Sequence, residues 1–193
     1  MPVLASAVLS AGCQSASASG HYPGAIDACR LLGPNARAQL APGTVEIPAD
    51  SVKAAETEVV PEDRATEGNE VTTCRRLYAR DLGGGQPNLQ DYRFVTIAVV
   101  RFTQSDAEEA AAKASRLMTD ALGDHSGVRL ATGVGDEAGF SEQWGAVRTG
   151  NVVLALAIAD GGTQAALIPP ATLDSVQAVV TDMAGTLQRD FQD

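Results

Sequence analysis

Two carboxylates sit side by side at Asp136 and Glu137, behind Gly135 and ahead of an apolar stretch. Such a pair can hold a cation or share acid and base work. It can equally carry the chain into a strand by accepting backbone N–H groups, and the flanking glycine favours that turn. Arginines concentrate at Arg75, Arg76, Arg80, Arg93 and Arg101. On neighbouring strands they would bind an anionic glycan or a carboxylate, or pair with the chain's surplus acids. Pairing is the commoner outcome. Trp144, the single tryptophan, and Phe140 flank Ser141, Glu142 and Gln143. A lone tryptophan is more often core than ligand platform. The candidate binding residues are therefore Arg75, Arg93, Arg101, Asp136, Glu137 and Trp144.

The familiar catalytic signatures are missing. The sequence has no GxSxG, HExxH, P-loop or EF-hand loop, and no GxGxxG in a strand–helix setting. A serine–histidine site would need one of the two histidines, His21 or His125. His125 lies between Asp124 and Ser126 and reads as an exposed loop residue. Gly83, Gly84 and Gly85 precede a strand rather than a helix, so they make a flexible loop and not a phosphate cradle. No catalytic residue, metal or cofactor is expected.

Acidic residues number 24 and basic residues 14, a formal charge of −10 over 193 residues. That argues against a nucleic-acid surface, which needs a basic patch to displace counterions, and against electrostatic docking on anionic lipid. At 45% hydrophobic and 20% charged, the chain is globular and long enough for one self-sufficient core. No apolar run reaches the length of a membrane helix.

The first charged side chain is Asp27. Residues 1–12 are small and aliphatic and read as the remnant of a signal peptide; its basic part is expected upstream of Met1. The run ends at Cys13, and the Ser/Ala/Gly tract up to Gly20 reads as a tether. Residues 21–193 are expected to form one domain. If Cys13 is set apart, Cys29 and Cys74 remain as an even pair. Neither lies in a CxxC, and two histidines make a poor zinc set. A disulfide in an oxidising compartment is favoured over two unrelated thiols.

The elements that position these residues follow from pattern. Residues 21–41 read as short helical pieces broken at Gly33 and Pro34. Residues 42–69 form an acidic, irregular excursion, with β pieces at 44–47 and 56–60. Strands are expected at 70–79, 91–102, 138–140, 144–149 and 151–159, the second and last nearly continuous in apolar residues. A capping box at Ser105 and Glu108 would start a helix that Gly123 ends near residue 122. A second amphipathic helix spans 172–191. The sum is α+β: a twisted, mostly antiparallel sheet with helices packed on it. The two apolar strands should be neighbours or near neighbours at the centre of the sheet, and the two long helices should cover the same face.

Residues 9–13 (LSAGC) resemble the lipobox of bacterial lipoproteins, whose cysteine is lipidated and becomes the N-terminus. Added to this are residues 27–32 (DACRLL), Cys74 in VTTC, the stretch 133–140 (GVGDEAGF), residues 147–156 (VRTGNVVLAL) and the C-terminal helix. Together, over residues 25–190, they resemble the two-cysteine cell-envelope lipoproteins of actinobacteria, a domain-of-unknown-function family. More distantly, they are similar to the extracytoplasmic sensor domains of mycobacterial receptor kinases. The resemblance implies an exported envelope domain with one internal disulfide and no established activity. The expected function is a non-catalytic lipoprotein on the outer face of the cytoplasmic membrane, held by lipid on Cys13, or else secreted. Its partner would be a small ligand or an envelope protein. The alternatives are an envelope hydrolase and a structural accessory of a secretion or wall-assembly complex.

Overall fold

A computed structural model describes residues 21–48, 51, 68–162 and 167–192. The expected signal remnant, Cys13 with its tether, and the β piece at 56–60 lie outside the described residues. Two short helices open the described chain, α1 (Ala28–Leu31) and α2 (Ala36–Leu40). Asp27 caps α1 by accepting the Cys29 N–H. The strands β1 (Thr44–Ile47), β2 (Asn69–Asp81) and β3 (Pro87–Phe102) follow, then α3 (Ala107–Asp124). The last elements are β4 (Arg129–Ala131), β5 (Glu137–Phe140), β6 (Trp144–Thr149), β7 (Val152–Gly162) and α4 (Leu173–Phe191). All seven strands form one sheet in the order β1-β2-β3-β7-β6-β5-β4, and every neighbouring pair is antiparallel. The fold is α+β, a sheet with helices packed on it.

At the centre β3 pairs with β7, with Ile97 opposite Leu156 and Val99 opposite Leu154. Val95, Ile97, Val99, Leu154 and Leu156 are all buried to within 1% of full. The two long helices, however, lie on opposite faces. Val176, Val180, Met183 and Leu187 of α4 pack with those five strand residues and with α1 and α2. Ala110, Ala114 and Met118 of α3 pack with Val100, Phe102, Ala146, Val153 and Ala155. The reason is the run of apolar residues in β3 and β7. Alternate side chains point to opposite faces, so a strand apolar at every position requires cover on both. The alanine stripe of α3 meets alanines of the sheet, which lets helix and strands approach closely.

Several boundaries differ from expectation. The N-cap of α3 is Asp106, not Ser105: its carboxylate accepts the N–H groups of Glu108 and Glu109. An anionic acceptor also suits the positive end of the helix. The helix runs through Gly123 to Asp124, because packing on the sheet outweighs one glycine. β3 begins at Pro87, earlier than its apolar pattern, because the β2–β3 hairpin extends beyond the core. Near the tip the ladder shifts between Ala79 and Arg80. There Leu89 stands out to solvent while Asp91 is buried and accepts from Asn88 Nδ2. β4 was not expected; three residues of edge strand carry too little pattern to read.

Cys29 and Cys74 form a disulfide that ties α1 to β2, with Cα atoms 5.0 Å apart. The chain enters the described domain at the end of the sheet where β3 finishes and β7 begins. There the Tyr22 N–H donates to Asn151 Oδ1, and Asn151 Nδ2 donates to the Phe102 carbonyl. The loops 125–128, 141–143 and 167–172 lie at the opposite end, the length of β6 away, about 20 Å.

Candidate ligand groove

The six candidate residues are not brought together. Arg93 is fully buried. It forms a bidentate pair with Asp160, at 2.5 and 2.7 Å, and donates to the carbonyls of Leu40 and Pro169. It is the clasp that holds α2 and the chain before α4 to the sheet. Arg101, buried at the other end of the same strand, donates to Glu70 at 2.6 Å and to the Tyr22 and Pro23 carbonyls. Arg75 is exposed, its guanidinium 5.6 Å from the Phe94 ring centre.

Asp136 and Glu137 share one partner that pattern alone did not mark, Arg148. Its Nη1 donates to Asp136 at 2.9 Å and its Nε to Glu137 at 2.7 Å. Asp136 also accepts the Gly150 N–H, and Glu137 accepts from Ser115 of α3. The pair therefore closes a turn and does not face an open site. Gly135 is needed there. It has a φ of 59°, and a Cβ on it would come within 2.4 Å of the Arg148 carbonyl oxygen. Asp136 acts further inward as well. Burial first, and then the Asp136 charge, pushes the Tyr22 phenol up to about 12. The Tyr22 hydroxyl is buried without a hydrogen-bond partner. Burial, and next the Glu46 charge, likewise pushes Tyr78 up to about 12.

Trp144 is a core residue, 5% exposed, in the cluster under α3. The His125 ring stacks on it at 4.3 Å between centroids and 25° between planes. His125 itself is exposed. The stack fastens the loop after α3 to the start of β6, and between these two loops opens a groove of about 620 Å³. One wall is Ser126, Gly127 and Arg129; the second is Ser141, Glu142 and Gln143; the N-terminus of α4 closes the third side with Leu173 and Asp174. Two of its hydroxyls are already engaged. Ser141 Oγ donates to the Trp144 carbonyl, and Thr172 caps α4 through a capping box with Ser175. By contrast, the side chains of Arg129, Glu142, Gln143 and Asp174 have no hydrogen-bond or ion-pair partner among the described residues. A smaller hollow of about 260 Å³ lies beside α2, where Arg76 and Glu46 already pair at 2.6 Å.

Sequence reading marked the second wall only as the residues between Phe140 and Trp144, and it left Arg129 and Asp174 unmarked. The three walls are separated by 12 and about 30 residues of chain, so no linear motif joins them. Among the described residues no group of three or more metal-ligating side chains occurs, and no helix is long and apolar enough to cross a membrane. Comparison with protein-family models, curated proteins and solved structures finds no match to this chain.

Proposed function

We propose that the chain is an exported, lipid-anchored domain of the bacterial cell envelope, of the actinobacterial two-cysteine kind. In this reading it binds a small ligand in the groove and carries out no catalysis. The observation that carries the binding reading is the groove itself. The groove gathers onto one concave surface, from three segments of the chain, the side chains of Arg129, Glu142, Gln143 and Asp174, which have no partner among the described residues. A concave site with convergent polar groups is what a small ligand requires; a protein partner would be met by a broad apolar patch. The internal disulfide supports export, since such bonds persist in oxidising compartments. The groove also lies at the end of the sheet remote from Tyr22, where the tether of a lipidated Cys13 would join. An anchored domain would therefore hold its groove away from the membrane.

The hydrolase alternative needs a nucleophile facing a base. Ser141 and His125, two such groups on the loops around the groove, are each turned to Trp144 instead: one to its carbonyl, the other to its ring. The binding reading is tested by a fragment-library NMR screen on the ¹⁵N-labelled protein. Hits should shift amides at 126–129, 141–143 and 172–174 above all others. Hits spread over an apolar surface, with the groove silent, would overturn it in favour of a protein partner.

A further inference from the structure

We propose that the groove recognises a neutral glycan, an inference that rests on the groove being the ligand site. The argument is one of matching chemistry. A sugar presents hydroxyls that each donate and accept, set in adjacent pairs, together with a face of C–H bonds. Adjacent hydroxyls are best met by planar groups with two polar atoms in one fork, as in carboxylate, carboxamide and guanidinium. Four partnerless side chains of the groove are of this type, Glu142, Gln143, Asp174 and Arg129, and the Ser126 hydroxyl beside them both donates and accepts. The C–H face is met by a flat ring. Next in the chain to the lining residue Ser126 is His125, exposed to solvent and backed by Trp144 at 4.3 Å, so a flat ring beside the groove is held in place before a ligand arrives. The volume of about 620 Å³ falls in the range of small-ligand sites.

The other ligand classes fit less well. A phosphate or other anion would meet one cation, Arg129, against the two carboxylates Glu142 and Asp174, in a chain of net charge −10. An apolar peptide side chain would find only Leu173 on the lining. A neutral polyol pays neither electrostatic nor apolar penalty here.

The test uses the only tryptophan in the chain as its reporter. The full-length protein is titrated with maltotriose and with triacetylchitotriose while Trp144 fluorescence and ¹⁵N amide shifts are followed. Tetra-alanine and inorganic phosphate are titrated in parallel. The expected result is saturable binding of at least one trisaccharide below ~10 mM, with amide shifts confined to the groove. Glu142→Ala and His125→Ala should each weaken it by about tenfold or more. Both residues are exposed, so the variants should keep the wild-type amide spectrum elsewhere. Saturable binding of tetra-alanine or phosphate in the groove, with no response to either trisaccharide, would overturn the glycan assignment and leave the binding reading intact. Silence of the groove toward all four probes would overturn the glycan assignment, and with a negative fragment screen it would remove the binding reading too.

Discussion

Arg93 and Arg75 lie on adjacent strands, and the same residue type does opposite work at the two positions. Arg93 is enclosed with Asp160 and two carbonyls; removing it strands a carboxylate and two acceptors. Arg93→Ala is expected to cost about 3–5 kcal/mol, and Arg75→Ala less than about 0.5 kcal/mol, as read from urea midpoints. Nothing in the spacing of the arginines separates these cases, because burial depends on what the rest of the chain lays over each position. The same holds for Arg148: its role as partner of Asp136 and Glu137 follows from the β5–β6 register, in which Glu137 faces it. Tyr22 and Tyr78 give a second test at this scale. Each phenol ionises near 10 in the unfolded chain and near 12 in the fold, so the unfolded state loses its proton first. Stability from these groups is therefore intact below pH 10 and falls as pH rises from about 10 to 12. Because the Tyr22 hydroxyl has no partner, Tyr22→Phe should leave neutral-pH stability almost unchanged and make the alkaline loss smaller. A Tyr22→Phe protein with the same alkaline loss as wild type would contradict this assignment.

The strands were the most legible elements. Residues 144–149 are recovered without change as β6, and the apolar runs of β3 and β7 identify the two central strands, because fully buried strands need apolar residues at every position. That same continuity means that both faces must be covered, which is why α3 and α4 separate; a helical stripe shows that a helix is buried but not on which side. Caps are less legible, since Ser105 and Asp106 are both good N-cap residues and only the local backbone selects between them. The two differ in a measurable way. Asp106→Ala should destabilise by about 1 kcal/mol, and Ser105→Ala by a few tenths at most; the reverse order of losses would return the cap to Ser105. The groove was the least legible feature. Its walls come from two loops with the start of β4, and from the N-terminus of α4; their shared property is that they end up at one end of the sheet, and their residue types are those of any solvated turn.

For the whole molecule, the disulfide closes a loop with a sequence separation of 45. Its reduction should lower stability by about 4 kcal/mol on the loop-closure argument, as a lower urea midpoint, while Arg93 and the two cores preserve the topology. The account joins this disulfide, the tethered end and the remote groove into one proposal, an exported domain held by lipid on Cys13. The most direct measurement is the intact mass of the protein extracted from the membranes of its own cells. The account predicts a chain that begins at Cys13, carries the mass of a diacylglyceryl group, and lacks two hydrogens for the Cys29–Cys74 bond. A full-length chain without lipid, recovered with free thiols from the soluble fraction, would contradict it.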